Sequence, residues 1–182
     1  QEPRTVAVEG GEPAVIQEMF RTPCEKNANA DAEAAVKQFT AQFRTLKFDL
    51  ERSLDMKVPD NHPLMQWLVP YTAWIMTVGR TGDDGLTAFQ RVRGKPYSKR
   101  LVRFGERVLY KRPEAGPGAP AGKLDKRWEY GFVVGYSRDS PEYRVIPEGS
   151  QKAIWVRSIE RRPESERWRP DLSLIHLSEP TR

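Results

Sequence analysis

The sequence is poor in the residues that build disulfides and metal sites. Cys24 is the only cysteine, so an internal disulfide is excluded and a reducing compartment is expected. Together with His62 and His176 it supplies too few ligands for the usual structural zinc arrangements. The longest apolar run, around residues 67–78, is interrupted and too short for a bilayer span, and the N-terminus lacks the features of a secretory signal. We therefore expect a soluble, intracellular protein.

Positive charge is concentrated in one part of the chain. The 182 residues carry a formal charge of +5, which alone is a weak indication of an anionic partner. Between Arg91 and Arg127, however, twelve lysines and arginines stand against only three acidic residues. This stretch predicts a surface that attracts polyanions.

Apolar residues recur at helical spacing between residues 27 and 54. At roughly 100° per residue one side of the helix carries Ala32, Val36, Phe39, Phe43, Leu46, Leu50 and Leu54. Another side carries a polar stripe that includes Glu33, Lys37, Arg44 and Lys47. The pattern predicts one long amphipathic helix.

A second apolar helix is predicted after a turn at residues 59–63. Pro63 suits its first turn, and apolar side chains up to Val78 provide a face to bury. Pro70 predicts a kink or a break in this helix.

A third, short helix is predicted after the glycine-rich loop 79–85. Thr87 and Gln90 have the spacing of a capping box. Gly94 and Pro96 should end this helix.

Short strands are predicted beyond Tyr97, because the chain becomes rich in β-branched and aromatic residues separated by turn residues. The predicted strands are residues 101–111, 128–136, 143–147 and 153–159. The loop 113–122 is expected to be flexible because of its glycine and proline content. Strands of this kind predict a small antiparallel barrel or sandwich.

Two ordered sets of residues carry a resemblance to a known family. The first is Asn29-Ala30-Asp31-Ala32-Glu33, followed by Val36, Gln42, Arg44, Leu46 and Lys47. The second comprises Leu86-Thr87-Ala88-Phe89-Gln90, Gly94-Lys95-Pro96, Arg103-Phe104-Gly105, Lys123-Leu124-Asp125, Gly131-Phe132-Val133-Val134-Gly135-Tyr136, Tyr143-Arg144-Val145 and Ser158-Ile159. In order and spacing they resemble the integrase region of copia-type LTR retrotransposon Pol polyproteins, most like the dinoflagellate variants, over about residues 21–168.

The resemblance implies an α+β chain, in which the C-terminal helices of an incomplete RNase H-like integrase core precede a small antiparallel β-barrel. Residues 1–26 would be a poorly defined remnant of that core and residues 27–96 its helical end. Residues 97–170 would form the barrel. Residues 171–182 are expected to be a disordered tail, and from Leu174 onward they resemble a translated sequencing adaptor.

The resemblance also implies strand transfer into DNA with two Mg²⁺ or Mn²⁺ ions. Glu33 would be the catalytic, metal-binding glutamate. The first catalytic aspartate and the zinc-binding segment would lie upstream of residue 1, Gly10 stands where the second aspartate is expected, and Ala30 replaces the family's glycine. One carboxylate cannot hold two such ions against water, so we expect an incomplete catalytic site. Without the resemblance, Glu33 is a first-turn glutamate favoured by the helix dipole.

The polar stripe and the basic strands predict non-specific contacts with a DNA backbone. The predicted phosphate contacts are Lys37, Arg44, Lys47, Arg103, Arg107, Lys111, Lys123, Lys126 and Arg127. The alternative for the stripe is a solvated helix surface with a Glu33–Lys37 pair. Aromatic residues expected to fill the barrel core are Trp128, Phe132, Tyr136 and Trp155. Arginines expected to form a disordered basic tail are Arg157, Arg161, Arg162, Arg167 and Arg169.

These features favour a DNA-binding integrase fragment that lacks catalytic activity by itself, with access to the nucleus implied by the family. One alternative is an active enzyme assembled with further integrase subunits. Another is a non-catalytic barrel that binds protein tails, and a third is a transposon relic without function. An aromatic cage beside a carboxylate would favour protein tails, whereas a basic groove would favour DNA.

Overall fold

The computed structural model describes residues 26–113, 122, 124–150 and 152–169, with side chains from residue 30 onward. It has a mixed α+β architecture, in which helices are followed by an antiparallel sheet. The chain divides into two units, residues 1–38 and 39–182. The elements are α1 (Lys26–Leu54), α2 (Leu64–Gly79), α3 (Ala88–Arg93), β1 (Arg107–Lys111), β2 (Trp128–Tyr136), β3 (Tyr143–Pro147), β4 (Ile154–Val156) and β5 (Ile159–Arg161). A 3-10 turn at Glu164–Glu166 follows.

Helix α1 confirms the predicted amphipathic helix, and its apolar positions differ in burial along its length. Within the second unit, Phe43 and Leu46 are half-buried and Leu50 and Leu54 are buried. Within the first unit, Val36 is 65% exposed. The apolar pattern therefore predicted the helix correctly, but it did not reveal which turns are covered.

Helix α2 runs through Pro70 without a break. Proline cannot donate the amide hydrogen bond to Gln66, but a carbonyl that reaches the solvent can bond to water instead. Both Pro70 and Gln66 are exposed, so this condition is met. The predicted break at Pro70 is wrong. On the opposite side of α2, Leu64, Leu68 and Tyr71 are buried.

Helix α3 begins with the predicted capping box. The Thr87 hydroxyl accepts the amide of Gln90 at 3.1 Å, and the Gln90 side chain accepts the amide of Thr87 at 2.8 Å. Gly94 ends the helix in the left-handed conformation, with φ of 68°.

The sheet has the strand order β4-β3-β2-β1-β5, and all of its pairings are antiparallel. The predicted strands 128–136 and 143–147 are confirmed. A bulge between Val133 and Gly135 shifts the register of β2 against β3. Gly131 lies close to its neighbours, since a Cβ there would come within 2.8 Å of the Ile146 carbonyl oxygen.

Two strand predictions need correction. The segment 101–106 is not a strand, although Val102 and Phe104 are buried. The hydroxyls of Tyr71 and Tyr136 donate to the Val102 carbonyl at 2.7 and 2.9 Å and replace a strand partner. The predicted strand 153–159 is divided, because β4 pairs with β3 whereas β5 pairs with β1.

One hydrophobic core extends across the predicted boundary between residues 96 and 97. Trp74 on α2 lies 6.2 Å from Tyr136 on β2 and 5.6 Å from Tyr97, measured between ring centroids. Phe89 of α3 joins the same cluster at 5.9 Å from Trp74. Helices α2 and α3 therefore contact the sheet through this aromatic cluster, and the predicted division into domains at residues 96 and 97 stays a prediction. The predicted remnant 1–26 and tail 171–182 lie outside the described residues, apart from Lys26.

In the part of the chain that the structure describes, no helix is both long enough and apolar enough to cross a membrane.

Candidate nucleic-acid interface

A cleft of about 380 Å³ lies where the end of β1 approaches β4 and the β4–β5 connection. It is lined by Lys111, Arg112, Pro113, Glu142, Trp155, Val156, Arg157 and Ser158. We refer to it as the Trp155 cleft. The Ser158 carbonyl accepts the amide of Lys111 at 3.0 Å and fixes one wall to the other. Its volume falls in the range of small-ligand sites, about 300–1,000 Å³.

Trp155 is an exposed ring that the fold holds in place. Side chains alternate along β4, so that Val156 is 3% exposed whereas Trp155 is 43% exposed. The guanidinium carbon of Arg144 lies 5.0 Å from the Trp155 ring centroid and 4.3 Å from that of Trp67 on α2. Burial lowers the pKa of Arg144. This cation–π stack supports one face of Trp155 and leaves the remaining ring surface to the cleft.

The lining of the cleft carries more positive than negative charge. Lys111, Arg112 and Arg157 stand against the carboxylate of Glu142. Arg157 Nε donates to Glu142 Oε1 at 3.2 Å, yet 83% of the Arg157 side chain remains exposed. The Ser140 hydroxyl donates to Glu142 at 2.8 Å, and this hydrogen bond lowers the pKa of Glu142 below its ordinary value. The neighbouring Arg157 lowers it further. Arg112 Nη1 also lies 3.2 Å from Glu129 Oε1, so three cations stand against two carboxylates and the surroundings of the cleft remain net positive.

Lys126 and Arg127 extend the positive surface. Both side chains are exposed. The carbonyl of Arg127 accepts the amide of Arg112 at 2.8 Å, which places these residues next to the cleft lining. Lys123, predicted to act with them, lies outside the described residues.

A second groove, of about 430 Å³, is nearly balanced in charge. It is lined by Arg44, Lys47, Phe48, Glu51, Lys57, Val58, Pro59 and Asp60. Lys47 bonds to Asp60 and lies 3.8 Å from Glu51, and Lys57 lies 3.1 Å from Glu51. Of the two predicted phosphate contacts here, Arg44 is exposed but Lys47 is held by carboxylates. This groove is the weaker candidate for an anion.

Arg103, predicted as a phosphate contact, is held within the fold. Its guanidinium donates to both carboxylate oxygens of Asp49 on α1 and to the Ser53 hydroxyl. It also lies 4.7 Å from the Trp168 ring centroid. The structure thus gives Arg103 the role of joining α1 to the segment before β1.

Arg107, also predicted as a phosphate contact, is 6% exposed. It donates to Glu148 at 2.9 Å and lies 3.6 Å from the Tyr130 ring centroid. Arg169 reaches the other oxygen of Glu148 at 3.1 Å. Because a buried guanidinium cannot reach a phosphate without breaking these contacts, the prediction for Arg107 is not supported.

Glu106 is fully buried and organises further arginines. Arg161 donates to its two oxygens at 2.6 and 2.7 Å, and Arg167 Nε lies 3.5 Å from Oε1. We call the set Glu106, Glu148, Arg107, Arg161, Arg167 and Arg169 the glutamate–arginine network. The predicted disordered basic tail is therefore wrong over residues 157–169, where each of the five arginines has an acidic partner.

Glu33 and Lys37, the first charges of the predicted stripe, are exposed in the first unit. Among the described residues, no three His, Cys, Asp or Glu side chains come together as a metal-binding group. Glu33 alone does not fit a site for two divalent ions, since such ions need several hard oxygen ligands. The juxtaposition of this stripe with the basic sheet stays a prediction.

Comparisons with known proteins leave the cleft to be interpreted from its own chemistry. No family model matches the chain, and no curated protein or solved structure shows significant similarity to it. A function is therefore inferred from the side chains of the Trp155 cleft.

One cation of this cleft and two beside it were predicted from the sequence, whereas Trp155 was predicted elsewhere. Lys111, Lys126 and Arg127 were predicted as phosphate contacts. Trp155 was assigned to the core with three other aromatics, of which Phe132 and Tyr136 are indeed buried. The alternation of Ile154, Trp155 and Val156 was the available signal, because two aliphatic neighbours pointing inward place the ring between them outward.

Proposed function

We propose that this chain binds the nucleic-acid backbone through the Trp155 cleft and the adjoining Lys126 and Arg127, as a copia-type integrase fragment without strand-transfer activity of its own. The observation that carries the proposal is an exposed, supported tryptophan in one cleft with three cations, of which Arg157 pairs with Glu142 and Arg112 with Glu129. Cations and aromatic rings in one groove suit a ligand with phosphates and bases.

The finer fold assignment belongs to the same proposal. The order β4-β3-β2-β1-β5 leaves β1 and β4 separated by two strands, yet both contribute to one cleft. A sheet that curls toward closure would bring them together, which supports a small barrel. The assignment of α1 and α2 to the end of an RNase H-like core rests on the resemblance of residues 29–47.

A barrel that binds protein tails is the second candidate, and one observation favours it: Glu142 lies in the same cleft as Trp155. A cage for a cationic tail needs several rings and an available carboxylate. Among the described residues that line the cleft, Trp155 supplies one ring, and Arg157 already neutralises the carboxylate. The excess of cations favours an anionic ligand.

The proposal predicts duplex binding that weakens steeply with salt. Fluorescence anisotropy with a labelled duplex between about 50 and 200 mM salt should give a linear decrease of log K, with a slope of about −0.9 per phosphate contact. The double variant K126A/R127A should reduce the magnitude of this slope by about 2. Arg52→Ala, which removes an exposed cation from the end of α1, serves as the matched control.

Glu33→Gln should retain the affinity, because Glu33 is not part of the proposed contact surface. Binding that does not respond to salt would contradict the proposal, as would an equal loss in the Arg52→Ala control. Strand transfer by this chain alone in Mn²⁺ would favour an enzyme assembled from several copies.

A further inference from the structure

The Trp155 ring is built to be contacted on one side. Arg144, itself packed on Trp67, lies over the ring at 5.0 Å from its centroid and is not part of the cleft lining. A large aromatic side chain that is 43% exposed and immobilised loses little conformational entropy when a ligand covers it. Such a ring is suited to stacking with a flat partner.

The ring and the cations of the cleft lie within one nucleotide-sized space. The cleft of about 380 Å³ is near the lower end of small-ligand sites, about 300–1,000 Å³. Lys111, Arg112 and Arg157 line the same space; Arg112 pairs with Glu129 at 3.2 Å, and 83% of the Arg157 side chain is exposed. A base on the ring would leave its phosphates among these cations.

We infer that the Trp155 cleft takes an unpaired nucleotide of a single strand, with the base stacked on Trp155 and the phosphates on the surrounding cations. The inference rests on the proposed nucleic-acid binding and adds the form of the ligand. Bases inside a duplex are covered on both faces by their neighbours, so they cannot offer a face to this ring. Unpaired bases can be splayed out and stacked on aromatic side chains.

The test compares three labelled probes of equal length: an oligothymidylate, an abasic strand with the same phosphates, and a blunt duplex. The protein should bind the oligothymidylate more tightly than the abasic strand. Trp155→Ala should weaken oligothymidylate binding by about 5- to 150-fold, the range of one stacked base. Binding of the abasic strand should stay unchanged because it has no bases, and binding of the duplex should change little because its internal bases are covered by their neighbours.

Two further variants control for the fold and for the chemistry of the ring. Trp155→Phe should retain most of the affinity, since phenylalanine also stacks. Leu124→Ala removes a fully exposed apolar side chain away from the cleft lining and should change nothing. Near-UV circular dichroism checks the fold of each variant. If Trp155→Ala does not fold, the wild-type preference for oligothymidylate over the abasic strand still decides the question.

The outcomes separate this inference from the proposed function. Equal wild-type affinity for the oligothymidylate and the abasic strand would overturn base stacking and leave backbone binding intact. An equal loss on all three probes in Trp155→Ala would likewise overturn stacking. Failure to bind any of the three probes would overturn the proposed function as well.

Discussion

The glutamate–arginine network and the Trp155 cleft both contain arginines, and the guanidinium groups of the two regions differ in their exposure to solvent. In the glutamate–arginine network, Glu106 is fully buried and Arg107 is 6% exposed. In the Trp155 cleft, 83% of the Arg157 side chain is exposed although it also touches a carboxylate. The first region uses arginine to satisfy acids within the fold, and the second presents Arg157 to solvent.

This difference shows why a count of positive charges overestimates a binding surface. Arg107 and Arg157 are equally basic, but Arg107 is committed to Glu148 and Tyr130 whereas most of the Arg157 side chain is exposed. A buried guanidinium is worth more to stability than to binding, because removing it leaves its acid without compensation. Variants in the two regions should therefore affect different measurements.

The largest expected effect is the loss of stability in Glu106→Ala. The change removes both oxygens that hold Arg161 and leaves the guanidinium groups of Arg161 and Arg167 without their acid. Breaking a buried pair of this kind costs about 3–5 kcal/mol. Urea unfolding followed by circular dichroism should show a reduced unfolding free energy of that size.

Glu106→Gln is the matched control for this prediction. Glutamine retains the shape and one acceptor oxygen, so its unfolding free energy should lie between those of the wild type and Glu106→Ala. If Glu106→Ala loses less than about 1 kcal/mol, the network does not have the structural role assigned to it.

A pair of arginine variants should separate the two regions next. Arg107→Ala should lower the unfolding free energy by about 2 kcal/mol, less than Glu106→Ala because Glu148 keeps Arg169. Arg157→Ala should leave stability within about 0.5 kcal/mol of the wild type, since an exposed ion pair contributes little. It should instead reduce the magnitude of the salt slope for DNA by about 1.

The distinction between the two regions would be contradicted if Arg157→Ala lost stability and Arg107→Ala lost DNA binding. An Arg157→Ala protein that is destabilised but binds normally would make the cleft a structural feature. An Arg107→Ala protein that folds normally and loses DNA binding would restore the original prediction that Arg107 contacts phosphate.

The parts of the fold that sequence predicted are those with local causes. The helical period of α1 and the Thr87–Gln90 capping box depend on residues within a few positions of one another. The irregular segment before β1 could not be predicted in this way. Val102 finds its hydrogen-bond partners in Tyr71 and Tyr136, which lie more than thirty positions away on either side.

The same distinction applies to the cleft. The prediction that Lys111 belongs to a positively charged surface needed only the pattern of charges along the sequence. The orientation of Trp155 depends on its contact with Arg144, which packs on Trp67. Arg157 forms its ion pair with Glu142, which lies in a different loop. Tertiary contacts decide which side chains pair with one another, so the positions of cations in the sequence cannot reveal these pairs.

The smallest expected effect is a gain of affinity in Glu142→Gln. The change removes the carboxylate of the Trp155 cleft and releases Arg157 for a phosphate. Loss of one exposed ion pair corresponds to less than about 1 kcal/mol, so oligothymidylate binding should tighten by about threefold at low salt. Glu160→Gln makes the same charge change at an exposed position that does not line the cleft and should have a smaller effect.

Acid should reproduce this gain in the wild type. The Ser140 hydrogen bond and Arg157 lower the folded-state pKa of Glu142, so the stability that its ionised form contributes is fully present above the ordinary pKa of 4.5. Its contribution to stability is lost as the pH falls through that lowered pKa, where protonation also removes the negative charge from the cleft. Oligothymidylate affinity should therefore rise in this window for the wild type but not for Glu142→Gln. An equal rise in both proteins would assign the effect to other carboxyl groups.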